Sequence, residues 1–297
     1  MDFLYFLLPY RTPVLEAFFQ LVTYLGQEIF IVAVICWLYW CSNKKLAYTL
    51  GFTYFISGLL VQGLKITFRI PRPWVLDPNF QAVPSAIPAA TGYSFPSGHT
   101  QSSTALFTTL ALYVKTPWKK ALCILAFLGV GFSRMYLGCH TPKDVLTAMG
   151  ISAVTACLCY RFFHPRELTR QQDRSLCIIF GILALALMFY AFYLYRSNFI
   201  EAKYAQDCFK AAGAGFGFSL GYYIERNHIR FQMPASSKEK LLRLLAGLLV
   251  TAVLQEGLKP ILGVSLPASF LRYFLVILWV LAIYPYFFTR FSQNRPS

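Results

Sequence analysis

Nine long apolar runs, each bounded by charges or by Gly and Pro turns, recur along the 297 residues, at roughly 28–42, 46–64, 99–114, 119–138, 143–163, 175–195, 207–224, 241–261 and 270–289. A helix needs about 20 apolar residues to cross the hydrocarbon of a bilayer. Lipid offers backbone groups no partners, so only helices or closed barrels cross it, and runs this continuous predict helices. The expected fold is all-α: a polytopic transmembrane helical bundle of about nine spans. Composition agrees, since 57% hydrophobic and only 13% charged residues exclude an ordinary soluble domain.

The N-terminal segment reads differently. Glu16, Gln20, Thr23 and Gln27 recur at helical spacing while Leu15, Phe18, Phe19 and Val22 fill another face. That pattern predicts an N-terminal amphipathic helix, lying at the membrane interface or packing across the first span. The N-terminus lacks the basic stretch and small-residue cleavage site of a signal peptide, so it is expected to stay in the mature protein.

A net charge of +15 raises the question of nucleic acid, but no basic run interleaves with aromatics on a polar face. Topology accounts for the charge better. With nine spans, one side of the membrane collects the larger share of Lys and Arg, from Lys44 and Lys45 through Arg226 and Arg230 to Arg290, with Arg166 and Arg295 among them. The positive-inside rule makes that side cytoplasmic, leaving the N-terminus outside and the C-terminus inside, in a plasma or inner membrane. The eight cysteines are scattered without metal-ligand or disulfide spacing and read mostly as small buried residues. Pairing of Cys139 with Cys208 is a remote alternative.

On the expected outer side, polar residues gather in three places. GLKITFRIPRPW brings Lys65, Arg69, Arg72 and Pro73; YSFPSGHT brings Pro96, Ser97, Gly98 and His99; GFSRMYLGCHTPKDV brings Ser133, Arg134, His140 and Asp144. Lys65, Arg72 and Arg134 supply fixed positive charge, and Arg grips an oxyanion with two donors. Free amides near Ser97 and Gly98 at a helix start form an anion site, favoured by the helix dipole. His140 and Asp144, four apart, share one helix face if Asp144 begins or continues a helix, and the carboxylate then holds the imidazole in one tautomer. A histidine so held is a nucleophile, and His99 is left to donate a proton to a leaving oxygen.

Lys65-x6-Arg72-Pro73, Pro96-Ser97-Gly98-His99 and Ser133-Arg134-x5-His140-x3-Asp144 resemble the three motifs of the type 2 phosphatidic acid phosphatase superfamily, in order and with intact spacing. The resemblance is close from Gly63 to Asp144 and looser to about Phe163. It implies that His140 attacks phosphorus to form a phosphohistidine supported by Asp144. His99 then protonates the leaving group and activates water. Lys65, Arg72, Ser97, Gly98 and Arg134 bind the phosphoryl oxygens. No metal or other cofactor is implied. The implied partners are a lipid phosphate substrate and the bilayer, with no nucleic acid. Three regions follow: an interfacial segment 1–27, a catalytic helical core 28–165 and additional C-terminal transmembrane helices 166–297.

Phosphatidate, phosphatidylglycerol phosphate, undecaprenyl diphosphate and a sphingoid-base phosphate all suit such a site. A sugar-phosphate phosphatase or phosphotransferase of the same superfamily is a second reading. A lipid transporter or flippase is a third, disfavoured because the polar residues gather at one membrane face. Gly213, Gly217 and Gly221 form a small-residue stripe, read as a helix-packing seam or a dimer contact. Glu256 is either a functional intramembrane acid or a partner for Lys259 or Arg272. The stretch Trp74–Phe95 reads as a lid or entry wall, or as an ordered connector.

Overall fold

A computed structural model describes residues 1–164, 167–234 and 236–293, the last three by backbone alone. Arg166, Arg295 and the boundary expected at 165–166 lie outside the described residues. Every regular element among the described residues is helical. In chain order they are α1 (Asp2–Leu7), α2 (Pro13–Thr23), α3 (Glu28–Trp37), α4 (Lys44–Phe68), α5 (Pro73–Leu76), α6 (Gly98–Tyr113), α7 (Pro117–Tyr136), α8 (Pro142–Phe163), α9 (Arg170–Arg196), α10 (Ala202–Ile224), α11 (Ser237–Leu262), α12 (Leu266–Leu278) and α13 (Tyr284–Gln293). Five-residue π-helical stretches prolong α3 (Leu38–Ser42) and α10 (Glu225–Ile229) and join α12 to α13 (Trp279–Ile283).

Local chemistry marks the helix starts. Thr12, Ser97, Thr169, Ser236 and Ser265 each cap a helix by accepting from a backbone amide one turn on. Thr169 and Gln172 complete a reciprocal capping box. Pro13 and Pro117 occupy first-turn positions where an amide is not needed. Gly263, at φ +80°, closes α11.

The chain forms two compact units, Met1–Val32 with Phe52–Phe162, and Ala33–Gly51 with Phe163–Ser297. Helices coincide with all nine apolar runs, but fewer meet the requirements of a membrane span taken singly. Among the described residues five segments are long and apolar enough: Lys44–Leu76, Pro142–Phe163, Arg170–Arg196, Ser237–Leu262 and Leu266–Arg290. A sixth arises if Pro13–Gly26 and Glu28–Ser42, bent by 47°, count as one broken span. The physical reason is visible in α6, which has 16 residues and buries Thr100, Gln101, Ser102, Ser103 and Thr104. A helix enclosed by protein has no need of an apolar surface.

In the first unit, α2 turns its polar side inward. Thr23 is buried and Glu16 and Gln20 are half-buried, whereas Val14, Phe18 and Leu21 are exposed. Phe19 packs on Phe132 and Tyr136 of α7, with ring centroids 5.3 and 4.4 Å away. The stretch after α5 is packed rather than loose: Val83, Ala86 and Ala90 are buried with Tyr136, Leu137 and Cys139, and Val83 N donates to Leu137 O at 3.0 Å. These contacts agree with the connector reading of Trp74–Phe95.

In the second unit the glycine stripe is a packing seam. A Cβ on Gly217 would stand 2.7 Å from Phe274 O, one on Gly221 would stand 2.7 Å from Leu281 Cβ, and one on Gly213 would collide with Phe270 O. α10 and α12 therefore approach through bare backbone. Glu256 makes no ion pair among the described residues, so the expected pairing with Lys259 or Arg272 is not formed. Cys139 and Cys208 are both free thiols.

Candidate active site

All eight residues singled out by the motifs belong to the first unit. Lys65 sits in the last turn of α4, Arg72 at the N-cap of α5, Ser97 at the N-cap of α6 with Gly98 and His99 in its first turn, Arg134 in the last turn of α7, and Asp144 in the first turn of α8. His140 lies in the short link between α7 and α8. Helix ends thus deliver every group but His140, and helix ends are also where unpaired backbone amides and carbonyls are found.

The link is shaped by Gly138, whose φ of +77° suits a residue without a side chain. A Cβ there would lie 2.8 Å from Arg11 Nη2 and 3.0 Å from Phe80 Cε1. Beyond it the chain folds back so that Cys139 N and His140 N both donate to Arg134 O, at 2.9 and 3.3 Å.

Arg72 is the organising cation. Its Nε donates to Gly92 O at 2.8 Å, and Nη1 reaches Cys139 O at 3.1 Å and His140 Nε2 at 2.8 Å. A guanidinium only donates, so Nε2 accepts and the ring proton of neutral His140 resides on Nδ1. Nδ1 faces Asp144 Oδ2 at 3.6 Å, an electrostatic approach longer than a hydrogen bond. Asp144 Oδ2 is engaged elsewhere: it accepts from Ser94 Oγ at 2.6 Å and from Thr141 N at 2.8 Å. Its backbone carbonyl accepts from Ser97 N at 3.1 Å, which ties the start of α8 to the start of α6.

Lys65 Nζ donates to Tyr93 O at 3.1 Å. Arg134 is fully buried; its Nη1 donates to Thr23 Oγ1 at 3.1 Å, while Nε and Nη2 have no acceptor among the described residues. Among the described residues, His99 Nε2 and His140 Nδ1 are likewise buried without a hydrogen-bond partner. Native interiors leave few such groups unsatisfied, and a buried guanidinium is costly without an anion. Gly98 adds open space, since a Cβ built there meets nothing within 4 Å. His140 is held well below the ordinary imidazole value by burial first, and then by Arg72, Arg134, Lys65 and His99. The site is therefore a buried, positively charged cluster around a neutral imidazole whose Nε2 lone pair is suited to nucleophilic attack. Among the described residues no group of three or more His, Cys, Asp or Glu side chains is arranged to hold a metal.

Four contributors were not anticipated from the motifs. Ser94 holds Asp144, and Thr23 holds Arg134. Gly92 and Tyr93 act through their carbonyls on Arg72 and Lys65. Ser94 lies three residues before Ser97 and was within reach of local reading. Thr23 is 111 residues from its arginine, and nothing in its own surroundings marks it.

Residues 46–168 match the PAP2 superfamily and residues 209–296 match the PAP2 superfamily phosphatase, transmembrane extension. The chain belongs to the PAP2 superfamily. Human sphingosine-1-phosphate phosphatase 2 is 25% identical over 229 residues, covering 75% of this chain and 55% of that protein. Undecaprenyl-diphosphatase BcrC of Bacillus subtilis is 35% identical over 109 residues, 36% of this chain and 53% of that protein. Phosphatidylglycerophosphatase B of Escherichia coli is 35% identical over 94 residues, 29% of this chain and 37% of that protein. The chain thus spans about half the length of the sphingosine-phosphate and undecaprenyl relatives and less of the third. No solved structure is a significant match.

Proposed function

We propose that this chain is an integral membrane phosphatase that removes the terminal phosphate of a lipid phosphate or diphosphate through a phosphohistidine. The observation that carries the reading is the buried meeting of Arg72 and His140 beside Arg134, whose Nε and Nη2 lack an acceptor among the described residues. A phosphoryl group supplies the missing acceptor oxygens. The relatives, named for sphingosine 1-phosphate, undecaprenyl diphosphate and phosphatidylglycerophosphate, support a lipid substrate.

In the first step the lone pair of His140 Nε2 forms a bond to phosphorus while the bond from phosphorus to the lipid oxygen breaks. Arg72 lets go of Nε2 and, with Lys65, Arg134, the Ser97 hydroxyl and the Gly98 amide, takes the equatorial oxygens, the Ser97 amide being held by Asp144 O. His99, brought to its protonated form by the negative charge of the bound phosphate, gives its proton to the leaving oxygen. Asp144 stabilises the charge that develops on the ring of His140. In the second step His99 takes a proton from water as the water oxygen bonds to phosphorus, the nitrogen–phosphorus bond breaks, and inorganic phosphate leaves. Nothing here calls on a metal, so activity is expected to persist in EDTA.

The same reading places the catalytic core at 28–165 and the pocket at the extracytoplasmic headgroup level, with nine crossings, the N-terminus outside and the C-terminus cytoplasmic. The distribution of Lys and Arg supports the orientation. Phosphate release by purified wild type and His140→Ala tests the reaction, using sphingosine 1-phosphate, undecaprenyl diphosphate, phosphatidate and glucose 6-phosphate in EDTA. Release that the substitution abolishes is the expected result, and the preferred substrate separates lipid from sugar phosphate. Equal release by both proteins overturns the histidine mechanism.

A further inference from the structure

Within the second unit, the end of α10 with its π-helical stretch, the start of α11 and the body of α13 surround a cavity of about 970 Å³. Ligand sites commonly measure about 300–1,000 Å³. Leu278, Ala282, Ile283 and Phe288 give it an apolar wall, and Arg230, Arg243 and Arg290 give it charge.

The three arginines are not equivalent. Arg243 is committed: Nη2 donates to Glu239 Oε1 at 2.7 Å, Nη1 donates to Gln232 O at 3.0 Å, and the guanidinium lies 4.2 Å from the Phe288 ring centroid. Glu239, the acid lining this cavity, is thereby used. Arg230 donates through Nε to Arg226 O at 3.2 Å, and Arg290 through Nε to Tyr286 OH at 2.9 Å. Both partners are neutral, and the η nitrogens of both arginines have no protein acceptor among the described residues. Two positive charges therefore face one cavity with no carboxylate paired to either among the described residues.

Arg230 carries a second sign. Its backbone is left-handed, at φ 52° and ψ 43°, at the end of the π-helical stretch. Glycine satisfies that geometry without strain, whereas a long side chain does not. Strained backbone of this kind concentrates at functional positions. The neighbouring cavity of about 440 Å³, which shares Arg230, behaves differently. There Lys44 pairs with Glu225 at 2.5 Å, Arg226 pairs with Asp173 at 3.1 Å and with Glu167 at 2.9 Å, and Tyr48 and Tyr222 donate to the same buried acids. That network answers its own charge, and the larger cavity does not.

We propose that the larger cavity binds the phosphate of an anionic phospholipid, with Arg230 and Arg290 on its oxygens and Leu278, Ile283 and Phe288 against its glycerol and first methylenes. A phosphodiester suits the site because it brings charge and apolar surface together, and basic pockets at the ends of membrane helices hold such headgroups. The site shares no residue with the catalytic pocket, and it stands whether or not the phosphatase reading does.

Thermal unfolding of the full chain in neutral detergent tests this, with phosphatidylglycerol, phosphatidylcholine or inorganic phosphate added. Wild type is expected to gain stability from phosphatidylglycerol and not from phosphatidylcholine. Arg290→Gln and Arg230→Gly are each expected to weaken phosphatidylglycerol binding about tenfold. Arg230→Gly relieves the backbone while removing the guanidinium, so its baseline midpoint holds or rises and misfolding cannot explain the loss. An equal response to phosphatidylglycerol in wild type and both variants overturns the proposal. If inorganic phosphate alone gives the same arginine-dependent rise, the lipid assignment is overturned and the ligand is a soluble phosphate.

Discussion

Arg72 Nη1 lies 2.8 Å from His140 Nε2, a donor aimed at the very lone pair that attacks phosphorus in the proposed reaction. The contact sets the tautomer of His140 before substrate arrives, and the same guanidinium is then within reach of a phosphoryl oxygen on Nε2. Arg72→Lys keeps the charge but loses the fork that spans Gly92 O, Cys139 O and Nε2. A fall in kcat of about 10²-fold or more is expected, with a smaller change in KM. Steady-state phosphate release checks it. An unchanged kcat would reduce Arg72 to a source of charge.

Asp144 holds its neighbourhood as much as it holds the ring. Its Oδ2 accepts from Ser94 Oγ and Thr141 N and stands 3.6 Å from His140 Nδ1. Asp144→Asn removes the negative charge facing the ring and is expected to lower kcat about 10²–10⁴-fold. Ser94→Ala removes one donor and frees the carboxylate to turn toward Nδ1, so its loss is expected to be far smaller. If Ser94→Ala matches Asp144→Asn, placement of the carboxylate matters more than its charge.

The acidity of His140 gives a prediction with a definite sign. Burial, and then the cations Arg72, Arg134 and Lys65 with His99, disfavour the imidazolium, so the ring stays neutral as pH falls through about 6.5. The acidic limb of kcat/KM due to His140 therefore lies below that value. Arg134→Gln removes one repelling charge and is expected to move the limb to higher pH. Comparing the two proteins on one substrate cancels the substrate's own ionisation. A limb that stays in place or moves lower contradicts the electrostatic account.

Much of this was readable in advance, for reasons that particular residues make plain. The nine apolar runs mark where helices lie because lipid and a helical interior both demand apolar faces. They overstate how many helices are apolar enough to span alone, because α6 buries a row of Ser and Thr inside protein. The motif residues were found because His140 and Asp144 are four apart and Ser97, Gly98 and His99 are consecutive. The bond from Arg134 to Thr23 was not, since tertiary packing alone brings α2 to α7. The hydrophobic pattern of α2 was legible, but which face turns inward depends on that buried arginine.

The glycine seam offers a stability test. Gly217→Ala places a Cβ 2.7 Å from Phe274 O, and backbone cannot move aside as a side chain can. A loss of about 1–3 kcal/mol is expected. Gly257→Ala, where a Cβ meets nothing within 4 Å, is the matched control in α11 and is expected to be neutral or slightly stabilising. Thermal unfolding midpoints of the two variants decide it, and equal midpoints would mean that α10 and α12 have room to separate.

Thr23 and Arg134 supply the last test. The hydroxyl accepts from Nη1 at 3.1 Å, Thr23 is 1% exposed and Arg134 is fully buried, so no water substitutes readily for the lost acceptor. Thr23→Val keeps the shape and removes the acceptor, leaving the guanidinium free to roll away from the phosphate position. Nearby, Gly26 packs so closely that a Cβ would stand 2.6 Å from His99 O, which keeps this segment against the start of α6. About a tenfold rise in KM and in the inhibition constant of inorganic phosphate is expected, with Thr23→Ser restoring most of both. A purely structural role predicts loss of active protein with KM unchanged, and that outcome would remove Thr23 from the site.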